Sequence, residues 1–286
     1  MRTALKALMA GAWAATGGPR RLHAGRLAVL TFHRIRPDGE EAAGGRPMRN
    51  LEVDVSDFRR ILGWMRERYE PVRLLDWLES EEAPPSPSFA ATFDDGWGDN
   101  REWAYPVLKE LEVPATIFLS TGAVEERVPF WWQHAGMTDR EIERAKAAPP
   151  KVPGGRGASD DFMTWDQARE MAAGGLVQFG AHGHRHELLT ELSKEEAVAD
   201  VRKCWELIRA KLPAGGVLPA LAWPNGNARE DLGDELAAMG LRAAFGTGRG
   251  AAGAPAEARW NLPRNNVDRG AAGNAGLLPW LLMRAR

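Results

Sequence analysis

Cysteine is all but absent, with Cys204 alone among 286 residues. It cannot close a disulfide within the chain, and a cysteine-based zinc site is excluded, so any metal must be held by histidines and carboxylates. No apolar run approaches the roughly 18 to 20 residues of a membrane-spanning helix. Neither sign of charge dominates: 37 Lys and Arg against 39 Asp and Glu leave a net charge of −2, without the basic field of a general nucleic-acid binder. No Gly-x-Ser-x-Gly elbow is present, which removes one sequence mark of a serine hydrolase, and no internal repeat is visible. What remains is a globular composition, 44% hydrophobic and 27% charged. The length suits one barrel as well as two smaller domains.

Acid is also missing locally. The first 36 residues carry Arg2, Lys6, Arg20, Arg21, Arg26, Arg34 and Arg36 and no Asp or Glu. Three readings fit the apolar stretch from Ala7 to Ala15. It is a helix packed on the domain and ended by Gly17-Gly18-Pro19, a basic amphipathic helix resting on an anionic membrane face, or a signal peptide with Ala12-Trp13-Ala14 as cleavage signature. The second places the protein in the cytoplasm, peripheral at the inner membrane; the third exports it. Residues 1–26 are therefore set apart as a basic leader helix, residues 27–268 as the working domain and residues 269–286 as a C-terminal tail.

Within the domain, strand-like and helical periods alternate. Apolar runs at Leu27 to Phe32, Phe89 to Phe93, Ala115 to Leu119, Leu176 to Ala181, Val217 to Trp223, Arg242 to Gly246 and around Trp260 to Val267 have the length of buried strands. Phe58, Ile61, Leu62 and Met65 mark a helix capped by Ser56, and further helices are expected at Leu74 to Leu78 and Arg101 to Leu111. Thr164-Trp165-Asp166-Gln167 and Ser193-Lys194-Glu195-Glu196 are capping boxes. After the second, Val198, Val201, Trp205 and Ile208 line a helical face with Cys204 beside it. A long irregular stretch runs from the third strand to about Asp161. The alternation argues for an α/β domain with a parallel sheet, open or closed into a barrel, whose chemistry lies at the carboxyl ends of the strands.

Two clusters stand at such ends. Half of the six histidines fall in His182-Gly183-His184-Arg185-His186, and neutral imidazoles are good zinc ligands. A helical turn after the strand would bring His182 and His186 together, whereas a continuing strand would put His182 and His184 on one face. The second cluster is Asp94-Asp95-Gly96. Two adjacent carboxylates are hard to bury unless a cation neutralises them. One acidic ligand and two histidines complete a three-ligand site, leaving the other Asp to act on water. A plain turn and a solvated loop are the alternatives for the two segments taken singly.

These residues carry a resemblance. Thr92-Phe93-Asp94-Asp95-Gly96 resembles the first motif of the polysaccharide deacetylases of NodB-type homology, and His182-Gly183-His184-Arg185-His186 their His-[Ser/Thr]-x-x-His motif, with Gly183 in place of the hydroxyl residue. Leu221-Ala222-Trp223-Pro224-Asn225-Gly226 is similar to the third motif. Leu30-Thr31-Phe32-His33-Arg34-Ile35 resembles the segment that opens a subgroup including the poly-N-acetylglucosamine deacetylases. The resemblance covers roughly residues 27 to 267 and implies a distorted (β/α)7 barrel forming a single catalytic domain. It also implies metal-dependent removal of N-acetyl groups, or less often O-acetyl groups, from a glycan or a lipid-linked sugar. It makes Asp95, His182 and His186 ligands of a divalent metal, Zn2+ foremost, and Asp94 the base. His33 stands as the acid in place of a late Leu-x-x-x-His segment that is missing here, and Arg264 orients the base. The third motif lacks an arginine found in many members.

Trp97, Trp132, Trp223, Pro224 and Asn225 lie near strand ends or in the long irregular stretch, where aromatic faces and polar groups could meet sugar rings. Trp131 is a further such aromatic, and packing is the alternative for each tryptophan. Gly246-x-Gly248-x-Gly250 is a poor dinucleotide loop because Gly253 and Pro255 spoil the helix that should follow. The rival functions are a metal-dependent amidohydrolase acting on a small cyclic amide and a catalytically silent carbohydrate-binding relative. Retention of both Asp94 and Asp95 speaks against the silent one.

Overall fold

The structure, a computed structural model, describes residues 2–39, 51–126, 130, 162–274 and 277–284. Helices α1 (Arg2–Ala15) and α2 (Gly18–Leu22) lead into β1 (Leu27–Phe32) and the short β2 (Arg34–Arg36). The chain continues through β3 (Glu52–Asp54), α3 (Val55–Arg66), β4 (Glu70–Pro71), α4 (Leu74–Ser80), β5 (Ser88–Phe93), α5 (Tyr105–Leu111), β6 (Ala115–Leu119) and α6 (Thr121–Glu125). Beyond these come α7 (Trp165–Ala173), β7 (Val177–Ala181), α8 (Lys194–Lys211), β8 (Val217–Ala222), α9 (Gly233–Ala238), β9 (Ala243–Phe245) and β10 (Asn265–Asn266). The residues expected as a tail contain α10 (Arg269–Ala272) and α11 (Leu277–Met283), and α11 packs against α1.

The main sheet runs β10-β1-β5-β6-β7-β8-β9, with β4 added beside β5 and every pair parallel. Leu262 bridges Phe245 of β9, and the same segment goes on to pair with β1 as β10, so residues 262–266 join the two ends of the curl. This is the distorted (β/α)7 barrel. A separate two-stranded sheet pairs β2 with β3.

Both β1 and β5 are wholly buried, which is why they read as unbroken apolar runs. Their side chains nevertheless alternate. Leu27, Val29 and Ala90 share an inner cluster with Phe118, Ala220, Ala222 and Phe245. Leu30, Phe32, Phe89 and Phe93 belong to the outer one, with Phe58, Ile61 and Leu62 of α3. The Phe32 and Phe58 rings meet edge to face, 5.0 Å apart. Leu74, Trp77 and Leu78 of α4 join the inner cluster, and Gln178 accepts the Leu75 N–H at 3.3 Å, so α4 plugs the mouth of the barrel nearest the strand beginnings.

Both capping boxes form as read, Thr164 with Gln167 and Ser193 with Glu196. Ser56 does not cap its helix. Helix α3 begins two residues earlier, at Val55 after Asp54, and the Ser56 N–H is taken by the Asp38 carboxylate at 3.0 Å. The helix expected over Arg101 to Leu111 starts as a π-turn, Asn100–Ala104, before becoming α-helical at Tyr105.

Candidate active site

Strand parity decides what reaches the barrel's carboxyl rim. Continuing the alternation that turns Leu27 and Val29 inward brings His33 to the inner side; Ala90 does the same for Asp94, and His182 follows Phe179 and Ala181 of the outer layer by one step. Asp95 would point the other way. Its φ of 78° is left-handed, and the turn is completed by Gly96 at φ 87°. Two adjacent carboxylates therefore face one site, which an extended strand forbids. A Cβ on Gly96 would lie 2.8 Å from Leu119 Cδ2, and the left-handed conformation already favours glycine there.

The histidine segment adopts neither of the two expected shapes. Gly183 (φ 76°) and His186 (φ 56°) are left-handed, so the loop folds back without a helical turn and without extending the strand. His182 and His186 converge: their Nε2 atoms lie 3.4 and 3.1 Å from Asp95 Oδ1, and the three donor atoms fall within 4.8 Å of one another. His184 turns away, with Nδ1 2.9 Å from Thr121 Oγ1 and Nε2 3.1 Å from Glu126.

Hydrogen bonds prepare this trio for a cation. The Ala222 carbonyl can only accept, so His182 donates from Nδ1 at 2.8 Å and presents its Nε2 lone pair to Asp95. Asp95 Oδ2 accepts from the Trp97 indole at 2.8 Å, whereas its Oδ1 is buried and accepts no hydrogen bond of sound geometry. A buried carboxylate oxygen facing two imidazole nitrogens without a hydrogen bond is costly unless positive charge offsets it, from a protonated imidazole or from a bound cation. Burial pushes the Asp95 carboxyl up, but the two imidazoles more than offset this and hold it well below the usual carboxylate range. For His182, burial favours the neutral ring and the Asp94 and Asp95 charges outweigh it, raising its pKa. The residues present fit a divalent metal with two nitrogen ligands and one oxygen ligand.

Asp94 is bound differently. Arg264, fully buried, donates to both of its oxygens at 2.7 and 2.8 Å and anchors its own Nε on the Gly246 carbonyl at 2.9 Å. Burial pushes Asp94 up, Arg264 pulls it down, and the net position is below the ordinary range. Its Oδ2 stands 4.0 Å from His182 Nε2. His33 lies close enough for both carboxylates to act on it; burial nonetheless lowers its pKa. Its carbonyl accepts from Asn100 Nδ2 at 2.8 Å.

Trp97 and Trp223 do not offer faces to a sugar. Trp97 is buried, stacked on Phe162 at 4.6 Å with the Arg34 guanidinium over its ring at 4.3 Å, and its indole N–H is spent on Asp95. Trp223 follows Leu221 into the outer layer and donates to the Trp260 carbonyl at 2.8 Å. Pro224 is buried as well. Asn225 is exposed at the rim with φ 57°, so of these five residues it is the one open to a substrate. Trp132, like Trp131, lies outside the described residues.

Several supports carry no motif. Asp99 pairs with Arg34 at 2.6 Å and accepts from Ile35 N and Asn100 Nδ2, which ties the His33 segment to the Trp97 side of the site. The carbonyls of His182, Gly183 and His184 are bonded by Ser120 Oγ, Thr121 N and Gly122 N. A Cβ on Gly122 would sit 2.6 Å from the His184 carbonyl oxygen, so only glycine allows that approach. Asp200 of α8 is buried and accepts from the backbone of His184 at 2.7 Å and Arg185 at 3.1 Å. Its signal was legible: an acid on the buried stripe Ala197, Val201, Cys204, Ile208. Asp200→Ala should leave the buried His184 N–H without its acceptor and lower stability by roughly 1–3 kcal/mol. Chemical denaturation checks this, and a loss below half a kilocalorie would show the loop holding its shape without the clamp.

The sequence profile of the family described as Polysaccharide deacetylase matches residues 81–244, a span that holds Asp94, Asp95 and the histidine loop. The chain belongs to this family. Among curated deacetylases it is 26% identical over 169 residues to the poly-beta-1,6-N-acetyl-D-glucosamine N-deacetylase of Escherichia coli (strain K12), an alignment covering 56% of this chain and 21% of that one. The chain thus spans about a fifth of that relative's length. Solved structures share the fold. Streptococcus pyogenes deacetylase PplD in complex with acetate superposes with a TM-score of 0.64 at 21% identity over 86% of this chain and 94% of its own. IcaB from Ammonifex degensii gives 0.63 at 20% identity over 90% and 97%.

Proposed function

We propose that this deacetylase-family chain is a metal-dependent hydrolase that removes N-acetyl groups from a glycan of acetylated amino sugars. One observation carries the reading: the orphaned Asp95 oxygen facing His182 and His186, with the arginine-clamped Asp94 carboxylate beside it. The family and the amino-sugar polymer in the name of the Escherichia coli relative support the substrate class.

Asp95, His182 and His186 would hold the ion, and their N2O donor set suits Zn2+. When bound, such an ion supplies Lewis-acid polarisation of the acetyl carbonyl and lowers the pKa of water. Asp94 takes the proton from the attacking water, and Arg264 keeps its carboxylate ionised and aimed. Amine departure needs a proton, since a free amide anion is a very poor leaving group. His33, on the same rim, supplies it. Asn225 meets the sugar from the carboxyl end of β8.

Acetate release from an N-acetylated oligosaccharide, measured with and without a chelator, tests the whole. Release should stop with chelator and return on adding Zn2+. His184→Ala should keep bound metal, because that ring serves Thr121 and Glu126, while His182→Ala and His186→Ala should lose it. Elemental analysis that finds His184 indispensable would refute the ligand assignment; chelator-insensitive release would refute the metal.

A further inference from the structure

Helix α1 packs Trp13 against the domain yet leaves three large apolar side chains in water. Its domain side carries Ala10, fully buried, with Ala7, Trp13 and Ala14 half-buried and the Trp13 ring packed against the core. The opposite face carries Leu5, Leu8 and Met9, 58%, 72% and 50% exposed, and these are the exposed large hydrophobics among the described residues. Ala12 and Thr16 continue that face at helical spacing, both exposed. A surface helix ordinarily buries its large apolar side chains and exposes its polar ones. Helix α1 packs against α11 and α2.

Cations surround the patch. Lys6 is exposed, with its ammonium 5.6 Å over the Trp280 ring, and Arg284 approaches the same ring at 5.9 Å. Arg20 and Arg21 are exposed on α2, and the Arg21 guanidinium reaches Thr16 Oγ1 at 3.5 Å, at the end of the apolar face. No Asp or Glu occurs before residue 38. A second copy of the chain laid on this face would set these cations against their own counterparts, so an anionic partner fits better. No helix of the described residues is long and apolar enough to cross a membrane.

We propose that α1, with the cations of α2 and α11, is a docking surface for an anionic lipid bilayer. The helix lies in the interface with Leu5, Leu8 and Met9 among the acyl chains and the basic side chains at headgroup level. Helix α2 leads into the beginning of β1, and His23 just after it bonds Tyr69 at 2.9 Å, two residues before the end of β4. The lipid face is thus tied to the strand beginnings, and the rim bearing Asp94 and His182 stays open to a glycan.

The test is co-sedimentation of the full chain with vesicles of phosphatidylcholine alone and of phosphatidylcholine with phosphatidylglycerol. Binding should require phosphatidylglycerol and fall with salt. Arg20→Gln combined with Arg21→Gln should weaken it about 25-fold, roughly fivefold per charge. Leu8→Glu with Met9→Glu should abolish it, and far-UV circular dichroism should stay unchanged because both side chains are already in water. Three results overturn the proposal: no sedimentation with anionic vesicles, binding indifferent to the arginines, or a dimer in solution that the Leu8 and Met9 changes dissolve. A native chain beginning beyond Ala15 overturns it as well. None of these readouts uses deacetylation, so their failure is separate from a failure of the proposed activity.

Discussion

Asp94→Asn should keep the metal and lose on the order of 10² to 10⁴-fold in turnover, whereas Asp95→Asn should lose both. The two side chains are neighbours in sequence and share one site, but their oxygens are used differently. Asp94 has each oxygen held by a guanidinium N–H of Arg264. An asparagine there would still fill the space and accept one of those bonds, yet its amide cannot take a proton from water. Asp95 has one oxygen on Trp97 and the other turned toward His182 and His186. An amide in its place removes the negative charge that a dication needs among neutral imidazoles. Metal content by elemental analysis, measured beside kcat on an N-acetylated oligosaccharide, separates the two. Equal metal loss in both variants would sink the division of labour. Arg264 is best left intact in this test, because deleting it would strand a buried carboxylate at a cost of roughly 3–5 kcal/mol.

His33→Ala should also keep the metal and lose on the order of 10² to 10⁴-fold on an N-acetyl sugar, but far less on a nitrophenyl acetate ester. The amine leaves only with a proton, while nitrophenolate is a weak base and leaves without one. Residue 33 directly follows β1 at the same rim as the carboxylates, and its surroundings depress the pKa of the ring through burial while both carboxylates pull the other way. Equal losses on the two substrates would assign His33 a structural or binding role. No loss on either would remove it from the reaction.

The sequence by itself determined the layered α/β fold. Strands buried on both faces must be short apolar runs, and helices packed on them must show a 3.6-residue stripe, so β1, β5, β6 and α3 are written in local composition. It also determined which residues stand at strand ends, because parity is a property of the backbone: His33, Asp94 and His182 take their inward direction from residues two and four before them. The capping boxes at Thr164 and Ser193 are local for the same reason, each closing within four residues.

Only the tertiary structure decided the rest. The left-handed turns at Asp95, Gly183 and His186 break parity and bring Asp95, His182 and His186 together, and they persist because Ser120, Thr121, Gly122 and Asp200 hold the loop from other elements. Arg264 reaches Asp94 across 170 residues, a contact set by closure of the barrel through residues 262–266. The tryptophans show the limit most plainly. Trp97 and Trp223 look alike in sequence, aromatic and near strand ends, and a sugar platform and a buried hydrogen-bond donor have the same composition. Which one a tryptophan becomes depends on what lies over its ring, and that is Phe162 and Arg34 for the first and the outer layer for the second.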